Sequence, residues 1–204
     1  MTKSSILLIG SGGHAKSIID LLRTNNKYEI FGLIGEPDSI DKEVLGYKII
    51  GSDKDLGNIR SKVSNAVVAI GQIKDVKLRQ KIFSLLKKYN YHTPTIISKY
   101  SYISDFSSIG EGTCIGHHVA VNAGVDVGKY CILNTKCLIE HDSTIGEFCH
   151  ISTGAIINGH VNIGSESFVG SGTIIREGVK IPPRTIIGAG KCIMAWPMEK
   201  EQSK

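Results

Sequence analysis

The chain has 204 residues, with 24 Lys and Arg against 19 Asp and Glu for a net charge of +5, enough length for one domain or two small ones that each bury a core. The excess charge forms no polybasic run, which suits an anionic small molecule and argues against a nucleic-acid track. Five cysteines, an odd number without CxxC spacing, read as packing residues in a reducing cytoplasm, and the four apolar residues between Ser5 and Gly10 are too few for a signal peptide or a membrane span.

In chain order, Ile6-Leu7-Leu8-Ile9 is a continuous apolar run, as expected of a strand buried on both faces. It breaks at Gly10-Ser11-Gly12-Gly13-His14, after which Ala15, Ile18, Ile19 and Leu22 follow the spacing of one helix face. A second strand is expected at Glu29 to Ile34, ending at Gly35-Glu36-Pro37-Asp38, and a third at Ala66 to Ile70, ending at Gly71. The next helix carries Leu78, Ile82, Leu85, Leu86 and Tyr89 on one side. This alternation implies a small Rossmann-like α/β domain over residues 1–93, with its ligand at the carboxyl ends of the strands.

Gly10-x-Gly12-x-x-Ala15 partly matches the dinucleotide fingerprint, with Glu36 at roughly the ribose-binding distance. The domain is short for a second mononucleotide half, which disfavours NAD. In the preferred reading, turn amides and the helix N-terminus hold the phosphates of a sugar nucleotide, and His14 faces that ligand. A purely structural role, in which the glycines let strand and helix pack, stands beside it.

From residue 97 to residue 193 an aliphatic residue returns at every sixth position: Ile97, Ile103, Ile109, Ile115, Val121, Val127, Leu133, Ile139, Ile145, Ile151, Ile157, Ile163, Val169, Ile175, Ile181, Ile187 and Ile193. If about half of residues are apolar, seventeen hits in one register arise by chance about once in a hundred thousand chains. A period of six fits neither helix nor free-standing strand, so the repeat is the unit of a solenoid. Two positions before each aliphatic the residue is small, as at Thr113, Cys131, Cys149 and Ser167. The position after it is often Gly or Asn, as at Gly110, Gly116 and Asn134, which is expected to form corners at positive φ. This pattern resembles the left-handed parallel β-helix acyltransferases. Three hexapeptides per triangular coil would then give about five coils at about 4.8 Å each, over residues 94–196, with 197–204 as a polar tail.

Seven histidines are present, and His141 and His150 stand nine residues apart. Half of an eighteen-residue coil puts them on different sides of one subunit, so they share a site only across an interface. The segment Asn134-Thr135-Lys136-Cys137-Leu138-Ile139-Glu140-His141-Asp142, with Ile145-Gly146-Glu147-Phe148-Cys149-His150-Ile151-Ser152 and the N-terminal Gly10–His14 turn, is similar to the bacterial sugar-nucleotide N-acetyltransferases of the bacillosamine pathway. The related sialic acid O-acetyltransferases belong to the same broad family. This resemblance implies a homotrimer with active sites between subunits, acetyl-CoA as co-substrate and no metal. It implies His141 as general base with Asp142 raising its basicity, where relatives carry Glu; Glu140 is the alternative partner. It further implies His150, Ser171 and Ala189 at the coenzyme, and Gly12, Gly13, His14, Glu36 and Gly71 at the sugar nucleotide. Relatives also carry two acids where this chain has Gly35-Glu36. Trp196 is expected either to stack on adenine or to cap the helix end.

The function implied is acetylation of the 4-amino group of a nucleotide-linked 4-amino-4,6-dideoxy sugar, UDP-linked by preference, for a bacterial surface glycan. Three alternatives are O-acetylation of a sialic or legionaminic-type sugar, a metal enzyme resembling the γ-class carbonic anhydrases, whose ligand histidines are five apart, and a non-catalytic sugar-nucleotide sensor. Direct transfer needs no acyl-enzyme, and Cys137 and Cys149 fall on inward-packing positions unsuited to a nucleophile.

Overall fold

The computed structural model describes residues 3–197, so 198–204 of the expected tail lie outside the described residues. The chain divides into two compact units, one ending at Lys99 and one beginning at Tyr100.

The first unit holds a five-stranded sheet in the order β3-β4-β2-β1-β5, built from β1 (Ser4–Ile9), β2 (Tyr28–Ile34), β3 (Glu43–Val44), β4 (Tyr47–Gly51) and β5 (Asn65–Val68). Interior strand β1 pairs in parallel with β2 and β5, and Ile6 to Ile9 are buried, as an apolar run in a covered sheet should be. Helix α1 (Gly13–Thr24) buries Ala15, Ile18, Ile19, Leu21 and Leu22. Strands β3 and β4 were not expected from sequence: only two residues of β3 pair, and β4 interleaves Ile49 with exposed Lys48 and Ile50. A short helix, α2 (Leu56–Ile59), follows β4.

Helix α3 (Lys77–Lys88) corrects one expectation. Its buried residues are Arg79, Ile82, Phe83 and Leu86, while Leu78 is 51% exposed. Arg79 enters the core because Nη1 donates to Gln72 Oε1 at 2.9 Å and the guanidinium lies 5.7 Å from the Phe83 ring.

The second unit is a left-handed parallel β-helix of two-residue strands, running from Tyr102–Ile103 to Cys192–Ile193. Strands eighteen residues apart pair in parallel, so Val121, Ile139, Ile157, Ile175 and Ile193 form one inward ladder. Small polar side chains two positions earlier stitch coils together: Thr113, Ser143, Ser167 and Thr173 donate to carbonyls fifteen residues ahead at 2.8–3.2 Å. The thiols of Cys131 and Cys149 make the same link.

The expected place of positive φ was wrong by two positions. Left-handed backbone falls three residues after the aliphatic, at fourteen successive corners from Gly112 to Gly190 with φ between +55° and +74°. Eight of these are not glycine: His118, Tyr130, Lys136, Asp142, Phe148, His160, Glu166 and Arg184. The glycines directly after the aliphatic answer a different demand. A Cβ on Gly146, Gly164 or Gly170 would stand 2.3–2.5 Å from a backbone nitrogen of the next coil. Those glycines let coils stack at strand spacing.

Candidate active site

In the α/β unit the turns after β1, β2, β4 and β5 surround a cavity of about 570 Å³. All five residues expected at a sugar nucleotide line it: Gly12, Gly13, His14, Glu36 and Gly71. Gly13 and His14 open α1, whose first turn carries no acidic side chain, so the positive end of the helix suits an anion. Gly35 is closely surrounded. A Cβ there would stand 2.6 Å from Ser39 Oγ and 2.8 Å from Ser11 Oγ, so two hydroxyls fill the space a side chain would need.

The cavity also takes Ser52, Asp53, Lys54, Leu78 and Lys81, which sequence reasoning missed. Ser52 and Asp55 form a capping box, with the Ser52 N–H and Oγ both donating to Asp55 Oδ2 at 2.8 and 2.9 Å. The Ser52 N–H foremost, with its hydroxyl, holds the Asp55 carboxyl below its usual range. The pattern Ser-x-x-Asp was visible at 52–55, but without β4 before it the loop had no assigned place. Leu78 is exposed because it lines this cavity.

On the β-helix, His141 and Asp142 follow the strand Leu138–Ile139, and Asp142 occupies a left-handed corner. His141 Nδ1 stands 2.9 Å from Asp142 Oδ2, with both side chains 53% exposed. Hydrogen bonding to Asp142 raises the His141 pKa first, and the charges of Asp142, Glu140 and Glu177 add to this, against a smaller lowering by desolvation. The shorter Asp therefore reaches the imidazole. Glu140 is engaged elsewhere, accepting from Asn122 Nδ2 at 2.6 Å.

Two glycines define the seat of this pair. A Cβ on Gly159 would stand 2.7 Å from His141 Cε1, and one on Gly124 would stand 2.5 Å from Asp142 Oδ1. His160 completes the corner: its backbone N–H donates to the His141 carbonyl at 3.0 Å, its Nε2 lies 3.7 Å from Asp142 Oδ2, and its ring meets His141 edge-on at 5.3 Å. Gly124, Gly159 and His160 were missed. The signal was present in the eighteen-residue period, which stacks positions 124, 142 and 160 on one corner.

His150 lies on another face of the coil, in the strand His150–Ile151. It is 7% exposed, with its ring edge-on to Phe168 at 5.2 Å. Ser171 shares a hydrogen bond with the Ser152 hydroxyl at 2.9 Å, and Ala189 is exposed on the coil above. Cys137 is 1% exposed and burial pushes its thiol pKa up. Cys149 is lowered mainly by a hydrogen bond with Cys131, yet is completely buried.

Residues 5–86 match the PglD N-terminal domain family. A point mutant of perosamine N-acetyltransferase from Caulobacter crescentus, solved with CoA and GDP-perosamine, is 30% identical at a TM-score of 0.88, over 95% of this chain and 90% of that one. The acetyltransferase domain of PglB from Neisseria gonorrhoeae is 26% identical at 0.85, over 95% and 92% of the two chains, and has also been solved with acetyl coenzyme A. A curated protein of Acanthamoeba polyphaga mimivirus, L142, is 30% identical over 128 residues, which is 24% of its own length.

Proposed function

The chain belongs to the hexapeptide-repeat sugar N-acetyltransferases, and from that premise we propose that it moves the acetyl group of acetyl-CoA to the 4-amino group of a nucleotide-linked 4-amino-4,6-dideoxy sugar. The observation that carries the reading is the half-exposed His141, fixed at 2.9 Å on Asp142. Its Nδ1–H donates to the carboxylate, which leaves the Nε2 lone pair to accept a proton. A sugar amine attacks a thioester only as the free base. As its nitrogen bonds the acetyl carbon, its proton passes to His141 Nε2, and the thiolate of CoA leaves. Backbone N–H groups stabilise the oxyanion.

The α/β unit holds the nucleotide. Glycine-turn amides at the start of α1 face the diphosphate, and Lys54 and Lys81 in the same cavity add positive charge. His150, Ser171 and Ala189 serve acetyl-CoA, Ser171 and Ala189 as small side chains along the coil surface. The protein works as a cytoplasmic homotrimer, since His141 and His150 occupy different faces of one coil, and it serves a bacterial surface glycan. Among the described residues no helix is long and apolar enough to cross a membrane. UDP is the nucleotide the sequence resemblance favours, and the relative with GDP-perosamine bound brings GDP beside it.

The test is mass spectrometry of the protein with acetyl-CoA and UDP-, GDP- and dTDP-linked 4-amino-6-deoxy sugars, with free sialic acid alongside. Gain of one acetyl on an amino sugar fixes reaction and nucleotide together. Acetylation of sialic acid alone replaces the reading with O-acetylation, and no product from any of them defeats it.

A further inference from the structure

His160 has no task in the acetyl transfer described above, yet it is tied to both residues that do. Its backbone N–H donates to the His141 carbonyl at 3.0 Å, and its Nε2 lies 3.7 Å from the Asp142 oxygen that His141 Nδ1 meets at 2.9 Å. We propose that His141, Asp142 and His160 form a binding site for a borderline transition cation, zinc foremost, and that occupancy of this site turns the enzyme off.

Three observations carry this. The first is distance. One donor atom from each residue lies within 4.8 Å of the other two. A tetrahedral zinc ion with ligands at about 2.0–2.2 Å separates neighbouring donors by about 3.3 Å, and the two edges meeting at Asp142 Oδ2, 2.9 and 3.7 Å, bracket that value. The third edge, between the two imidazole nitrogens, is within 4.8 Å, and rotation of the exposed rings closes it toward that value.

The second is donor chemistry. Two imidazoles and one carboxylate suit zinc, cobalt, nickel or copper, whereas magnesium and calcium seek oxygen donors. The third is room and anchoring. Asp142 and His160 sit on one corner, eighteen residues apart, both at left-handed φ. The next corner of that column is Gly178, where an added Cβ would meet nothing within 4 Å. Three protein ligands with an open side leave a fourth position for water.

The consequence for catalysis follows from the tautomer. In the acetyl-transfer reading the His141 proton sits on Nδ1 and the basic lone pair on Nε2. Coordination through Nδ1 places the metal where that proton was, and the proton moves to Nε2. No bond to carbon forms or breaks and no electron is transferred, but the nitrogen that would accept the amine proton is already protonated. The cation acts here as an inhibitor, distinct from a resident cofactor.

The test has a binding arm independent of activity, and only the inhibition arm rests on the acetyl-transfer reading. Cys192 is an exposed thiol that would compete for zinc, so the measurements use C192S protein. Zinc is titrated against a chromophoric chelator with the full chain and with H160N, Asn being a side chain that tolerates left-handed corners. H160G serves as a second variant, since glycine already occupies six of the fourteen corners. One zinc per chain in the parent, at least about tenfold weaker in both variants, with millimolar magnesium unable to compete, is the expected result. In the activity arm zinc stops acetyl transfer, EDTA restores it, and H160N resists. Equal zinc affinity with and without His160, or no stoichiometric binding, overturns the proposal. Should every sugar fail as an acceptor, the binding arm still judges the site, and only the catalytic reading falls.

Discussion

The two halves of this molecule make their sites by opposite means. In the α/β unit, β1 and α1 spend their apolar residues on the core, and the site forms where regular structure stops, at the loops after four strands. In the β-helix the regular structure never stops. His141, Asp142 and His160 stand within the repeat itself, at corner positions that point away from the aliphatic ladder. A loop site draws on residues scattered through the sequence. A corner site draws on residues one coil apart, held by strand hydrogen bonds.

That contrast can be broken most forcefully at the ladder. Replacing Ile157, fully buried in the row that runs from Val121 to Ile193, by Ala should cost about 2–5 kcal/mol. Chemical denaturation would show it, and a loss under 1 kcal/mol would mean that coils repack independently. Next in size, His141→Ala should slow acetyl transfer at least about 100-fold while the melting temperature stays put, because the side chain is half exposed. An unchanged rate would remove His141 from the mechanism.

Gly159→Ala separates seat from base. The added Cβ meets the half-exposed imidazole and not a neighbouring coil's backbone, so the fold should survive while kcat falls about tenfold through a misplaced ring. A KM effect alone would place Gly159 with substrate binding. The subtlest change is Asp142→Asn. Catalysis needs neutral His141, and the bond to Asp142, then its charge, holds the imidazole pKa above its ordinary value. Activity in the parent therefore rises with pH through that elevated pKa. Removing the carboxylate's charge lowers it, so the rising limb of the kcat profile should move to lower pH. A limb that stays in place would show that another group titrates there.

Much of the architecture was legible because its signals are periodic. The six-residue ladder and the run Ile6–Ile9 each announce a buried surface; Ile6–Ile9 are buried, and so is the ladder from Ile115 onward, while Ile97, Ile103 and Ile109 are half-buried. β3 and β4 were invisible for the converse reason: too few residues pair, and exposed side chains alternate with buried ones. The glycines misled in an instructive way. Gly146 and Gly164 have identities that permit positive φ, yet the neighbouring coil's backbone is what requires them. The true corners hold Tyr, Phe, Lys and Glu, which no propensity scale would place there. Gly12, Gly13, His14, Glu36 and Gly71, expected at the turns and strand ends, all line the cavity of the α/β unit. Lys54 and Lys81 were not, since their place depends on β4 and on the rotation of α3.

The fourteen left-handed corners have a further meaning. Each non-glycine residue there bears about 1–2 kcal/mol of backbone strain, which the coil tolerates whatever the side chain, from Arg184 to Asp142. The outer edge of the prism is thus a rack with fixed slots, eighteen residues per shelf and one strand spacing between shelves. Exchanging the occupant of a slot leaves the interior alone, and the separation between occupants is set by backbone geometry. New chemistry can be written onto such an edge one residue at a time, already in register with its neighbours above and below.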